Sequence, residues 1–291
     1  MVLLETTIYR AMIGSISFSD SPNINNIKVN SDIVASELFN SNLVKPYTIQ
    51  AIFQLPELCV SPLLICQRNK IIKETLDEWK NYKSAHRVIS NFLLKRFANF
   101  FYTNSTDIND LISKEILLTD KHIYLWRSFL ESGSSLLCVM EDDAFVLDSK
   151  SIISNRWSEF CDYIISFHGL EILGLCEREN VYIDCAGGFK MADLEISAIW
   201  LNNLTNIPRG IISFKKLFSN TTCMYMLSRP LALVMYEIVS KNPLFRLLPA
   251  DWLINKCAIE IFNQGIKTLC YHFNPPLLQH GSIIQGISSM R

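Results

Sequence analysis

The chain has 291 residues, with 27 Lys and Arg against 28 Asp and Glu and a formal net charge of −1. That balance leaves no global field to attract a polyanion, so nucleic acid is not an expected partner. Hydrophobic residues at 49% against 19% charged supply a sizeable core and leave room for an apolar contact surface.

The nine cysteines are scattered without a Cys-x-x-Cys pair. They read as reduced core residues of a cytosolic protein rather than as disulfides or a zinc site. Met1-Val2-Leu3-Leu4 meets Glu5 with no basic leader, so no export signal is expected. The longest stretch without Asp, Glu, Lys or Arg, residues 268–290, contains Asn274, Pro275, Pro276 and Gln279 and does not read as a membrane span.

Thr7–Ser17 predicts a first strand, closed by the turn-rich Phe18–Asn23. Ser31-Asp32 is placed to cap a short helix running to about Asn40, and Tyr47–Gln54 alternates as a second strand. From Ile65 to Phe101 apolar residues recur at three- and four-residue steps. The polar face carries Lys70, Lys73, Lys80, Lys83, Arg87, Lys95 and Arg96 among Glu74, Asp77 and Glu78. This basic amphipathic insertion, at about 56–105, is a solvated face or a surface resting on anionic lipid. Thr103–Asp110 reads as a polar loop, and Leu111–Leu130 returns to helical spacing before Gly133, a natural left-handed stop.

Ser134–Leu147 (SSLLCVMEDDAFVL) is the stretch around which the chain is arranged. A short apolar run fits a buried strand, and it stops at Glu141, Asp142 and Asp143. In open α/β sheets ligands bind beyond the carboxyl ends of such strands. Three adjacent acids there are either a solvated turn or a divalent-metal site that grips a phosphorylated ligand.

Farther on, Trp157–Phe167 predicts a helix, Leu170–Cys176 a buried strand, and Glu177–Lys190, with Gly187-Gly188, a flap-like loop. Cys223–Leu227 predicts a strand, Arg229-Pro230 opens a helix to about Lys241, Pro249-Ala250-Asp251 starts another, and Leu269–Phe273 is a last strand. The alternation predicts a single three-layer α/β/α domain over 1–291 with a mostly parallel central sheet.

Several stretches resemble, in order, glycosyltransferase family 25, which includes lipooligosaccharide and collagen galactosyltransferases. Lys114-Glu115-Ile116 through His122-Ile123-Tyr124-Leu125-Trp126 is similar to its Ser-His-containing helix, and Gly133 and Met140-Glu141-Asp142-Asp143-Ala144 to the strand ending in Glu-Asp-Asp. Thr222–Ser228, Leu248-Pro249-Ala250-Asp251-Trp252 and Pro275-Pro276-Leu277-Leu278-Gln279 with Ser282 resemble later segments, so the likeness spans roughly 111–285. The family's Asn-Leu-Arg start is replaced by Ser17-Phe18-Ser19-Asp20, and its Gly-Cys and Ser positions by Leu117-Leu118 and Lys121.

The resemblance implies a GT-A fold and inverting transfer of galactose or a related hexose. The donor would be a nucleotide diphosphate sugar, UDP-sugar favoured, and the acceptor a glycan or glycolipid in cell-surface polysaccharide synthesis. It implies Mn²⁺ or Mg²⁺ on Asp143 with Glu141 as helper, on one side of the strand, and Asp142 on the other bonding ribose or donor sugar. His122, Gln279 and Ser282 would reach the donor, and Gly187, Gly188 and Trp252 the acceptor. Asp251 is either the base that deprotonates the acceptor hydroxyl or a helix cap. A lone helical His such as His122 is more often a core residue bonded to backbone, Trp126 reads as core rather than as a sugar platform, and His272 and His280 are minor candidates for a further metal ligand. An Asp-x-Asp-x-Thr phosphatase fits less well, because the first acid is Glu141 and Phe145 stands where Thr or Val is needed. The second function class is a GT-A-fold binding or assembly protein without catalysis. The expected location is the cytoplasm, with peripheral contact at the inner face of the membrane.

Overall fold

Ala11–Ile16 forms β1, every residue of it buried, as an apolar run of this length dictates for a strand covered on both faces. The computed structural model describes residues 11–16, 24–39, 47–51, 61–82, 105–146, 149–186, 196–201, 210–219 and 221–280. The further strands are β2 (Tyr47–Ala51), β3 (Leu136–Glu141), β4 (Ala144–Phe145), β5 (Val181–Asp184), β6 (Ile196–Leu201), β7 (Gly210–Phe214), β8 (Met224–Ser228), β9 (Leu269–Asn274) and β10 (Gln279–His280). Helices are α1 (Ile24–Leu38), α2 (Pro62–Tyr82), α3 (Ser105–Ser132), α4 (Lys150–His168), α5 (Ile172–Arg178), α6 (Arg229–Lys241) and α7 (Ala250–Asn263), with a 3-10 turn at Pro243–Leu247.

Eight strands form one sheet in the order β2-β1-β3-β8-β5-β9-β7-β6, while β4 and β10 form a separate pair. The β1–β2, β1–β3 and β5–β9 pairings are parallel and the other four antiparallel. Six strands therefore share one direction, and β7 and β8 run against it. The class is α/β as expected, but the sheet is mixed. β8 lies between β3 and β5 and runs antiparallel to both.

Alternation along the strands divides the core into two layers. Leu137, Val139, Tyr225 and Leu227 pack under α2, α3, α6 and α7, with Trp126 and Phe129 at the centre. Leu136, Cys138, Met140, Met224 and Met226 pack under α1, α4 and α5, against Trp157 and Phe160. β1 approaches α3 closely: a Cβ on Gly14 would lie 2.8 Å from Leu125 Cδ1, so this spot admits only glycine without repacking.

Several boundaries differ from the sequence reading. Leu170–Cys176 does not form a strand. Gly169, at φ 68°, ends α4, and Ile172–Arg178 coils as a short helix, since a leucine-rich run of seven lacks the β-branching that favours extension. The loop expected at Glu177–Lys190 contains β5. Helix α1 starts at Ile24, so Ser31 and Asp32 lie inside it rather than at its cap. Helix α3 already includes Ser105–Asp110, expected as loop.

Gly133, at φ 70°, does follow α3 in the left-handed form, and Pro230 sits in the first turn of α6, whose cap Ser228 accepts from Leu231 N. Of the basic insertion, α2 lies within the described residues to Tyr82. Its Lys70 lies 3.9 Å from Glu74, the i,i+4 pairing of a solvated face. Lys83, Arg87, Lys95 and Arg96 lie outside the described residues.

Arg68 of α2 ties this layer together: it pairs with Glu115 of α3, both nearly out of solvent, and Arg68 Nε donates to Leu247 O at 2.9 Å. Removing one partner of a buried pair leaves an uncompensated charge. Glu115→Ala is therefore expected to cost about 3–5 kcal/mol, read as a shifted denaturation midpoint. An unchanged midpoint would show that the pair adds nothing.

Candidate functional site

Chain order places the site. From β1 the chain goes first to β2 on one side and later to β3 on the other, so the strand order switches between β1 and β3. A crevice opens at the carboxyl ends of the strands at such a switch point. Glu141 is the last residue of β3, and Asp142 N donates to Ile16 O at the end of β1 at 3.1 Å. The acidic residues therefore sit at the switch point itself.

The strand stops at Glu141, and Asp142-Asp143 form the tight turn into β4. Two-residue alternation ends there too. Strand periodicity therefore does not by itself set the sides on which Asp142 and Asp143 lie. All three are buried, at 5%, 1% and 1% exposure. A solvated acidic turn is thereby excluded.

Backbone groups lock the turn: Glu141 N donates to Cys223 O at 2.8 Å, and Asn30 Nδ2 of α1 to Ala144 O at 2.5 Å. The Cys223 thiol bonds the Asp143 carboxylate; burial first, then the charges of Asp143 and Glu141, push that thiol well above its ordinary range. It stays protonated beside the acids.

His122 of α3 faces Glu141. Its Nε2 lies 3.2 Å from Glu141 Oε1 and its Nδ1 2.8 Å from the Tyr225 hydroxyl. Burial pushes that phenol well above its usual range, so it keeps its proton. Both ring nitrogens of His122 are thus engaged, one by Tyr225 and one by Glu141.

Asp251 lies in the first turn of α7, half-buried, its Oδ1 accepting from Trp252 N at 3.0 Å. The cap position is Pro249, so Asp251 is not the helix cap. Helix α7 packs down the sheet into β9, which runs with β3 and β5, so its first turn stands at the carboxyl rim. Two contacts fix that placement. Leu248 O accepts from Thr119 Oγ1 at 2.7 Å, one turn of α3 from His122. Asn255 Oδ1, one turn below Asp251, accepts from Ser219 N at 2.8 Å, and Ser219 Oγ accepts from Tyr182, which stacks on Tyr225.

The tail returns to this rim. Leu277 N donates to Cys185 O at 2.7 Å, and β10 pairs with β4 so that Gln279 stands opposite Phe145 and His280 opposite Ala144. Gln279 is thus brought beside the acidic turn. Ser282, Gly187 and Gly188 lie outside the described residues. Trp252 is buried in the core beneath α7 and Trp126 beneath α3, so Trp252 is not an acceptor platform.

Asp184 is not among the residues expected at the site from the sequence. It ends β5, fully buried, with Oδ1 accepting from Ala186 N at 3.2 Å and Oδ2 3.6 Å from His272 Nδ1, and its charge reaches Cys223 as those of Asp143 and Glu141 do. The signal was present: Val181-Tyr182-Ile183-Asp184 is a β-prone run ending in an acid, as β3 is. His272 belongs to the core, stacked on Phe218 at 4.2 Å and 3.4 Å from Cys270 Sγ.

The donors at the turn are all carboxylate oxygens, which suit Mg²⁺ or Mn²⁺ and not a soft metal. Among the described residues no three His, Cys, Asp or Glu side chains form a ready cage. Mg²⁺ commonly uses one or two carboxylates with substrate phosphates supplying the rest, and the turn fits that pattern. No helix among the described residues is long and apolar enough to cross a membrane. No family model matches this sequence, and no curated protein matches it.

Proposed function

We propose that this chain is a GT-A-type glycosyltransferase that moves galactose or a related hexose from a nucleotide diphosphate sugar, UDP-sugar favoured, to a glycan or glycolipid hydroxyl. The observation that carries the reading is the burial of Glu141, Asp142 and Asp143 at the carboxyl end of β3, at the point where strand order reverses.

Adjacent buried carboxylates repel one another unless positive charge accompanies them. Asp143, with Glu141 beside it, would hold Mn²⁺ or Mg²⁺; the ion, when bound, offsets the charge that builds on a departing diphosphate. Asp142 and Gln279 contact the donor from either side of the turn. Asp251 takes the proton of the acceptor hydroxyl as its oxygen attacks the anomeric carbon. The bond from that carbon to the diphosphate breaks, and the diphosphate leaves with the electron pair. Attack opposite the leaving group inverts the centre. With work of this kind the protein belongs in the cytoplasm, at the inner face of the membrane where the acceptor is a glycolipid.

A binding protein that has kept the fold without catalysis is the second reading, favoured by Ser17-Phe18-Ser19-Asp20 where the family carries Asn-Leu-Arg. Under either reading a nucleotide sugar with Mn²⁺ stabilises the chain. At 100 times its dissociation constant the expected gain is about 2.7 kcal/mol, seen as a raised melting temperature. No shift with UDP-, GDP- or CMP-sugars would remove both readings.

A further inference from the structure

Glu141 belongs to a buried chain of hydrogen bonds. Trp126 Nε1 donates to the Tyr225 hydroxyl at 3.0 Å, that hydroxyl lies 2.8 Å from His122 Nδ1, and His122 Nε2 lies 3.2 Å from Glu141 Oε1. The four side chains are 0%, 0%, 1% and 5% exposed. The direction of this chain follows from its first member. An indole N–H only donates, so the phenol oxygen accepts there. A phenol has one hydrogen, and the neighbouring acceptor along the chain is His122 Nδ1. A histidine that accepts at Nδ1 carries its proton on Nε2, where it donates to the carboxylate.

The other tautomer fits worse. A proton on Nδ1 alone would turn the Nε2 lone pair onto the Glu141 oxygen. Of the two tautomers, only the Nε2–H form gives every hydrogen of the chain an acceptor.

We propose that His122 is a positioning residue, held by Trp126 and Tyr225 so that its Nε2–H fixes the orientation of the Glu141 carboxylate toward a divalent cation. This deepens the reading above and rests on it. The same two turns of α3 also hold Leu248 through Thr119, so one helix face sets both Glu141 and the start of α7, where Asp251 stands. A partner behind a metal-binding carboxylate governs affinity through orientation, and losing such a partner costs about 10–100-fold in metal affinity.

Two measurements on the full chain test this. Nitrogen-15 NMR of the five histidines reads the tautomer directly, with His122 assigned by its loss in His122→Gln. A proton on Nε2 is expected; an Nδ1–H pattern with a bare Nε2 would overturn the assignment. Mn²⁺ binding in the presence of UDP, followed by the paramagnetic resonance of unbound Mn²⁺, reads the consequence. Tyr225→Phe and His122→Ala are expected to weaken it about 10–100-fold. His122→Gln, whose amide N–H reaches the place of Nε2, should restore most of it. If the folded variants bind Mn²⁺ as the wild type does and differ only in melting temperature, the positioning role is wrong and the cation site stands. If the wild type itself does not bind Mn²⁺ with UDP, the cation reading falls and this one with it.

Discussion

Asp143→Asn is expected to abolish cation-dependent sugar transfer, by about 10³-fold or more, while the protein stays folded. In the proposed reading this carboxylate holds the ion. Losing several kcal/mol of charge stabilisation in the transition state corresponds to this range at one decade per 1.36 kcal/mol. Asparagine is the informative replacement because its carbonyl can still accept from the Cys223 thiol that bonds Asp143. Circular dichroism and the melting temperature should therefore change little, and turnover assays with and without EDTA isolate the chemical effect. Wild-type turnover that persists in EDTA would reject the cation role outright.

Asp251→Asn is expected to lower kcat about 10²–10⁴-fold with donor affinity kept, since a general base contributes that much and does not bind the nucleotide. The structural cost is small. Asn retains the acceptor for Trp252 N, and only the favourable charge at the positive end of α7 is lost, about 0.3–1 kcal/mol. Steady-state kinetics with varied acceptor and donor separate the effects. Unchanged kcat in a stable variant would move the base elsewhere, and a collapse of folding would assign Asp251 to structure.

How much of this was legible in the sequence depends on how local each feature is. Helices α3, α6 and α7 could be read because their periodicity runs for 13 residues or more, and β3 because an apolar run ends abruptly in acids. Leu170–Cys176 could not be read correctly, since seven apolar-rich residues fit either a strand or a helix and the outcome depends on where α4 stops. β5 is four residues long, which hid Asp184 in an expected loop. At the site, the acids and Asp251 were visible as residue types at chain positions. The pairing of His122 with Glu141 and with Tyr225 joins residues up to 103 positions apart and arises only when α3 is laid over β3 and β8. The return of Gln279 to Phe145 is of the same kind.

Nucleotide release is the most direct measurement. The purified chain, incubated with a panel of UDP-, GDP- and CMP-sugars and Mn²⁺, should liberate one nucleotide diphosphate, UDP favoured, with EDTA or Asp143→Asn suppressing the release. Hydrolysis or transfer from none of the panel, by a folded protein supplied with metal, would contradict the assignment of the acidic turn to nucleotide-sugar chemistry.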